Sequence, residues 1–171
     1  MQVKQANTLQ VSGWPWMVVS AQSLAVNNAM SLSFGPGIPF VHHMGFTLER
    51  FENGHSEMHY APLPEHLNSF DITHGGALMT LLDVAMATAA RSVDPELGVF
   101  TIEMKTSFMK AAKTHSGEHL VAKGELIHRT QKMAFAEAKV FDAQGELCAH
   151  STGTFKYAER RPTDQSKIST D

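Results

Sequence analysis

The sequence has a single cysteine, Cys148, among 171 residues. One thiol excludes an internal disulfide framework and the Cys-rich zinc and CxxC redox patterns, and makes the cytoplasm the expected compartment. Its predicted setting in an apolar strand makes Cys148 a small core residue rather than a nucleophile. Basic charge is also scarce: 14 Lys+Arg stand against 17 Asp+Glu, a formal net charge of −3. No global positive field is left to hold a nucleic acid, so none is expected as a partner. Long apolar runs are missing too. The fattest segment, Ala77 to Ala90, is interrupted by Thr80, Asp83 and Thr88, and a bilayer crossing needs ~20 apolar residues. Trp14 to Val19 is broken by Pro15 and is too short for the apolar region of a signal peptide. A soluble chain without membrane contact is expected. There is no Gly-x-Ser-x-Gly elbow, and Ser107, Ser116 and Ser151 lack a His/Asp frame, which speaks against a serine hydrolase. The ten histidines include His42-His43, His55-x3-His59 and His115-x3-His119. None brings a Cys or acidic neighbour in ligand order, and no metal is expected.

What is present is an ordinary globular composition, 43% hydrophobic and 18% charged, at a length suited to one compact domain with its own core. Residues 1–39 read as an N-terminal extension with a helix from about Pro15 to Leu32, ended by Gly35-Pro36-Gly37-Ile38-Pro39. Residues 40–158 read as the main domain, and 159–171 as a flexible tail with one apolar residue, Ile168. Within the main domain the period is two. Met44 to Phe51 alternates, Asn53-Gly54 is the strongest two-residue hairpin signal, and His55 to Ala61 returns. A loop containing Pro62 and Pro64 leads to a helix from near His74 to near Ser92. Four strands follow: Phe100 to Met109, with Ile102, Met104, Thr106 and Phe108 expected on one face; Gly117 to Arg129; Met133 to Asp142; and Glu146 to Tyr157. One long helix among short hairpin connections predicts an α+β fold, a mostly antiparallel sheet with the helix on its concave face.

That helix carries the chemistry. Leu78, Leu81, Leu82, Ala85, Met86 and Ala89 form a core stripe, while the other side shows Gly76, Thr80, Asp83, Ala87 and Ala90 instead of surface charges. Such a helix is expected to be buried all round, by sheet or by a partner subunit, and a lone buried carboxylate at Asp83 needs compensation. The plainer alternative is a bond from Asp83 to a backbone amide or a neighbouring Thr. At the helix start, His74-Gly75-Gly76 leaves unpaired N–H groups at the positive end of the dipole. The Gly75 N–H is a candidate donor to an oxygen that becomes negative in a transition state. A Gly-Gly pair at a helix start also serves as a simple turn.

Asn68-Ser69-Phe70-Asp71-Ile72-Thr73-His74-Gly75-Gly76, followed by Asp83, resembles the hotdog-fold acyl-CoA thioesterases of the 4-hydroxybenzoyl-CoA thioesterase superfamily, in particular the phenylacetate-pathway (PaaI-like) branch. Thr101, Phe108 and the closing Ser151 to Phe155 continue the likeness, which spans about Phe40 to Tyr157. The resemblance implies a hotdog fold, subunits paired edge to edge in a homodimer that often pairs again into a tetramer, and hydrolysis of an acyl-CoA thioester. No cofactor is implied beyond CoA itself, which arrives as part of the substrate. The implied roles are carbonyl polarisation by Gly75 N–H, and general base or nucleophile for Asp83. Asn68 and His74 would orient loop, water or thioester, and Thr101 would assist the water. A buried, purely structural His74 is the alternative for that residue.

For substrate binding, Gly76, Met79 and Phe108 border the implied site, with Phe70, Met86 and Met104 as further acyl-pocket candidates. Lys105, Arg129 and Lys132, with Lys110 and Lys113 nearby, are candidates for the CoA phosphates. Two rival functions remain: a non-catalytic acyl-CoA-binding or regulatory hotdog protein, and a hotdog enoyl-CoA hydratase or dehydratase. The His-Asp or His-Glu pair expected of the latter is not evident.

Overall fold

The computed structural model describes residues 8–10, 18–20, 32 and 38–159. The chain divides into two units, Met1–Ser31 and Leu32–Asp171. In the first, β1 (Thr8–Gln10) pairs antiparallel with β2 (Val18–Ser20), Leu9 opposite Val19. A helix was expected over Pro15 to Leu32, but Val18–Ser20 inside it is a strand. Adjacent valines are stiff at χ1 and favour extended backbone over helix, which the polar composition of the stretch masked. The rest of that expected helix, Leu32 apart, and the tail beyond Glu159 lie outside the described residues.

The second unit opens with α1 (Pro39–Met44), a single-turn helix the sequence reading did not anticipate. Pro39 stands in its first turn, where a missing N–H costs nothing, and Val41 and Met44 are buried beneath it. Then come β3 (Thr47–Glu52), β4 (His55–Tyr60), a short 3₁₀ turn at Pro64–His66, α2 (Gly75–Arg91), β5 (Leu97–Phe108), β6 (Leu120–Arg129), β7 (Met133–Phe141) and β8 (Leu147–Glu159). The six strands β3 to β8 form one sheet in the order β3-β4-β6-β7-β8-β5, every pairing antiparallel. The β3–β4 hairpin turns at Asn53 and Gly54, both with positive φ (50° and 82°), as a two-residue hairpin loop requires.

Helix α2 packs against all six strands. Its seat is set at Gly124 of β6, where a Cβ would lie 2.4 Å from the Ala85 carbonyl oxygen and 2.6 Å from Ser56 Oγ. Only glycine permits that approach, and Ser56 Oγ uses it to donate to the Ala85 carbonyl at 2.7 Å. Leu81, Leu82, Ala85, Met86 and Ala89 are fully buried against the sheet, together with Met58, Leu120, Val140 and Phe155. The opposite face is less covered than expected. Met79 is 40% exposed, and Thr80, Asp83, Val84 and Ala87 are half-buried. Among the described residues no helix is long and apolar enough to cross a membrane.

One strand face needs correction. The β5–β8 register shifts between Thr101 and Glu103, so Ile102 occupies a β-bulge. The alternation slips by one there: Thr101, not Ile102, shares a face with Met104 and Phe108, and Ile102 is left 56% exposed. Bulges re-aim side chains, and a strict period of two cannot register the inserted residue.

Candidate active site

Asp83 stands on the open face of α2, and the bulge turns Thr101 towards it. Thr101 Oγ1 donates to Asp83 Oδ1 at 2.7 Å. Burial pushes the Asp83 carboxyl above its ordinary value, and the Thr101 hydroxyl opposes that rise. The result is a carboxylate held in one orientation and made more basic than a solvated one. It opens on a cleft of about 570 Å³ whose walls are apolar apart from Thr80, Asp83, Thr88, Arg91 and Thr101.

Gly75 lies in a second cleft, of about 390 Å³, shared with Asn68, Leu78 and Phe108. His74 is the N-cap of α2 and is exposed rather than buried: its Nδ1 accepts the Gly76 N–H at 2.9 Å. The cap gives the ring its partner at the surface. Gly76 N–H is thereby occupied, whereas Gly75 N–H meets no acceptor among the described residues. The end of the Phe108 ring comes within 3.4 Å of the place a Gly75 Cβ would take. Asn68 Oδ1 accepts from Phe70 N–H at 2.9 Å and Ile72 N–H at 3.4 Å, folding the loop on itself. Its amide NH₂ has no acceptor among the described residues.

Of the acyl-pocket candidates, Met79 and Met104 line the Asp83 cleft and Phe108 the Gly75 cleft. Phe70 is 77% exposed at the loop tip. Met86 is fully buried under Gly153 and belongs to the core. Among the basic candidates, Arg129 lies 3.6 Å from Asp94 and 4.9 Å over the Tyr157 ring, and Lys110 pairs with Asp142 and Glu146. Lys105, exposed on β5, and Lys132, exposed in the β6–β7 turn, have no ion-pair partner among the described residues.

Two contributions escaped the sequence. His66 is buried, its Nδ1 accepts Leu63 N–H at 3.2 Å, and its carbonyl accepts His74 N–H at 2.8 Å, tying the loop to the start of α2. Nothing in the spacing set it apart from nine other histidines. Ile38, Phe40 and Val41 wall the Asp83 cleft, and the Gly/Pro run before them read only as a break.

The model of the thioesterase superfamily matches residues 70–149, a span that holds Gly75, Asp83, Thr101 and Phe108. Over that span the chain is similar to the thioesterase superfamily, and its fold is the hotdog fold. Relatives whose names carry the word esterase include one from Sulfurisphaera tokodaii, 27% identical over 64% of this chain and 80% of its own. Another, from Archaeoglobus fulgidus, is 32% identical over 60% of this chain and 64% of its own. Among solved structures, PaaI from the phenylacetic acid degradation operon of E. coli superposes with a TM-score of 0.66 at 19% identity, covering 71% of this chain and 86% of that chain. A Streptococcus pneumoniae thioesterase protein with coenzyme A superposes at 0.62 and 23% identity, covering 68% and 91%.

Proposed function

We propose that the enzyme hydrolyses an acyl-CoA thioester to a carboxylic acid and CoA, at sites each built from two copies of the chain. The observation that carries this reading is the separation of Gly75 and Asp83. They stand eight residues apart on α2, in different clefts, which is ~12 Å of helix rise. A thioester oxygen must lie ~3 Å from its donor while the carbonyl carbon is within ~3.5 Å of the attacking atom, so one chain cannot supply both. A two-fold partner with its α2 antiparallel brings its Gly75 to this Asp83 and covers the half-open helix face. The exposed apolar residues Phe100 (64%) and Ile102 (56%) on the edge strand β5 support edge-to-edge pairing. The coenzyme A held by the pneumococcal protein supports the substrate class.

In the reaction, Asp83 takes a proton from water as the water oxygen attacks the carbonyl carbon. The oxyanion accepts the Gly75 N–H of the other subunit. Collapse breaks the C–S bond, and the departing thiolate takes the proton to leave as CoA thiol. Direct attack by Asp83 would instead form a mixed anhydride. Single-turnover hydrolysis in oxygen-18 water detects the anhydride route when water opens it at the Asp83 carboxyl carbon, which leaves the first acid unlabelled and puts the label in the protein.

Complementation tests the shared site. Asp83→Asn and Asn68→Ala, each inactive alone, are unfolded and refolded together, and thiol release from acyl-CoA is measured. With half the dimers mixed and one intact site in each, about a quarter of wild-type activity returns. A mixture that stays inactive despite proven subunit exchange places both groups in one chain.

A further inference from the structure

The Asp83 cleft has a wall that neither the long helix nor the sheet provides. Ile38, Phe40 and Val41 form it, at and just before α1, and all three precede the stretch matched by the superfamily model. Across the cleft stand Met79 and Ala87 of α2 and Met104 of β5.

The wall is divided between anchor and contact. Val41 is 2% exposed and Met44 7%, so these two hold α1 to the core. Phe40 remains 58% exposed and Ile38 38%. Large apolar side chains left open at the rim of a concave, apolar cleft mark a surface kept for a ligand. The carboxylate needs only the thioester carbonyl, so this wall meets what lies beyond it, the acyl chain. In the single chain the cleft runs along α2 from Met79 to Arg91, ~18 Å at 1.5 Å per residue, longer than an acetyl group needs.

We infer that α1 is the acyl-selectivity element of the site: Ile38 and Phe40 close the cleft over an apolar acyl chain, and Phe40 sets the longest chain that fits. This rests on the acyl-CoA reading above. Recognition by such a wall is non-directional and scales with buried area, so each methylene that reaches it strengthens binding about fourfold. A chain that outruns it must displace Phe40 or leave its end in water, and the gain stops.

The experiment uses the full-length enzyme and two series of straight-chain probes from acetyl to dodecanoyl length. Non-hydrolysable S-alkyl-CoA thioethers report binding by calorimetry, and acyl-CoA thioesters report kcat/KM by thiol release. Wild-type affinity should climb about fourfold per methylene and then break at one length. Phe40→Ala should move the break to longer chains and Phe40→Trp to shorter ones, in both series. Phe40→Leu is a milder third variant should either of these fail to fold. Unchanged break points in the folded variants, with the wild type still hydrolysing acyl-CoA, overturn the inference and leave the function standing. A wild type that neither binds the thioethers nor cleaves the thioesters overturns both.

Discussion

Thr101→Val removes one hydroxyl and keeps the β-branched shape that suits a strand. The lost contact is the 2.7 Å bond from Thr101 Oγ1 to Asp83 Oδ1. Hydrogen bonds to charged groups contribute about 1.5 to 3 kcal/mol. Thr101 is exposed in the single chain, so the lower figure applies. At 1.36 kcal/mol per pKa unit, ~1.5 kcal/mol corresponds to about one unit. Burial already raises the Asp83 carboxyl and the Thr101 hydroxyl is what opposes it, so the variant carboxyl should rise further. In the proposed reaction Asp83 acts in its ionised form, and the acid limb of kcat/KM should therefore move up by about one pH unit while the alkaline plateau stays within a few-fold. Thiol release on a substrate that the wild type hydrolyses, measured from about pH 4 to about pH 9, reads both features. An acid limb that stays in place while the plateau falls would refute this account and put Thr101 on the water instead of the carboxylate.

Asp83→Asn should lose turnover by about 10²- to 10⁴-fold yet gain stability. The native carboxyl has a raised pKa, so between the ordinary Asp value and the raised one the folded state binds more protons than the unfolded, and stability falls as pH rises through that window. Urea unfolding should show the variant more stable at neutral pH and level with the wild type below about pH 4; a less stable variant at neutral pH would show that the charge is compensated. Gly124→Ala should destabilise by about 1 to 3 kcal/mol or more, since its Cβ would meet the Ala85 carbonyl oxygen at 2.4 Å. An unshifted urea midpoint would mean that the helix rides on the sheet with slack.

The elements governed by local rules were legible. Asn53-Gly54 dictated its turn, and the apolar stripe of α2 located the helix to within one residue at each end. Asp83 stood out because a helix face without surface charges is unusual, and its partner Thr101 came from the family likeness. Where the reading slipped, the deciding interactions were non-local. The bulge at Ile102 exists because β5 must match β8 and still turn Thr101 to the helix, which no property of the strand alone encodes. Six residues of α1 show too little period to be seen, and Val41 and Met44 make sense only once their seat in the core is known. The alternative of a buried His74 fails for the same reason: the exposure of the ring follows from the path of the loop, not from its neighbours in sequence.

Helix α2 is fastened at three heights. His74 N–H reaches the His66 carbonyl at 2.8 Å, Ser56 Oγ holds Ala85 in the middle, and near the end Gly54 N–H reaches Ser92 Oγ at 2.7 Å while the Tyr157 hydroxyl holds the Ala90 carbonyl at 2.9 Å. The anchors come from a loop, a central strand, a hairpin tip and the last strand, so no local fluctuation releases them all. The helix therefore opens only with the sheet, at a free energy close to that of global unfolding. By contrast α1 is seated by Val41 and Met44, with the His43 ring edge-on to His66 at 6.5 Å, and can lift at the cost of its own small burial. Displacing α1 therefore leaves the carboxylate on α2 where it stands. The wall of the cleft and the seat of the carboxylate thus depend on separate contacts.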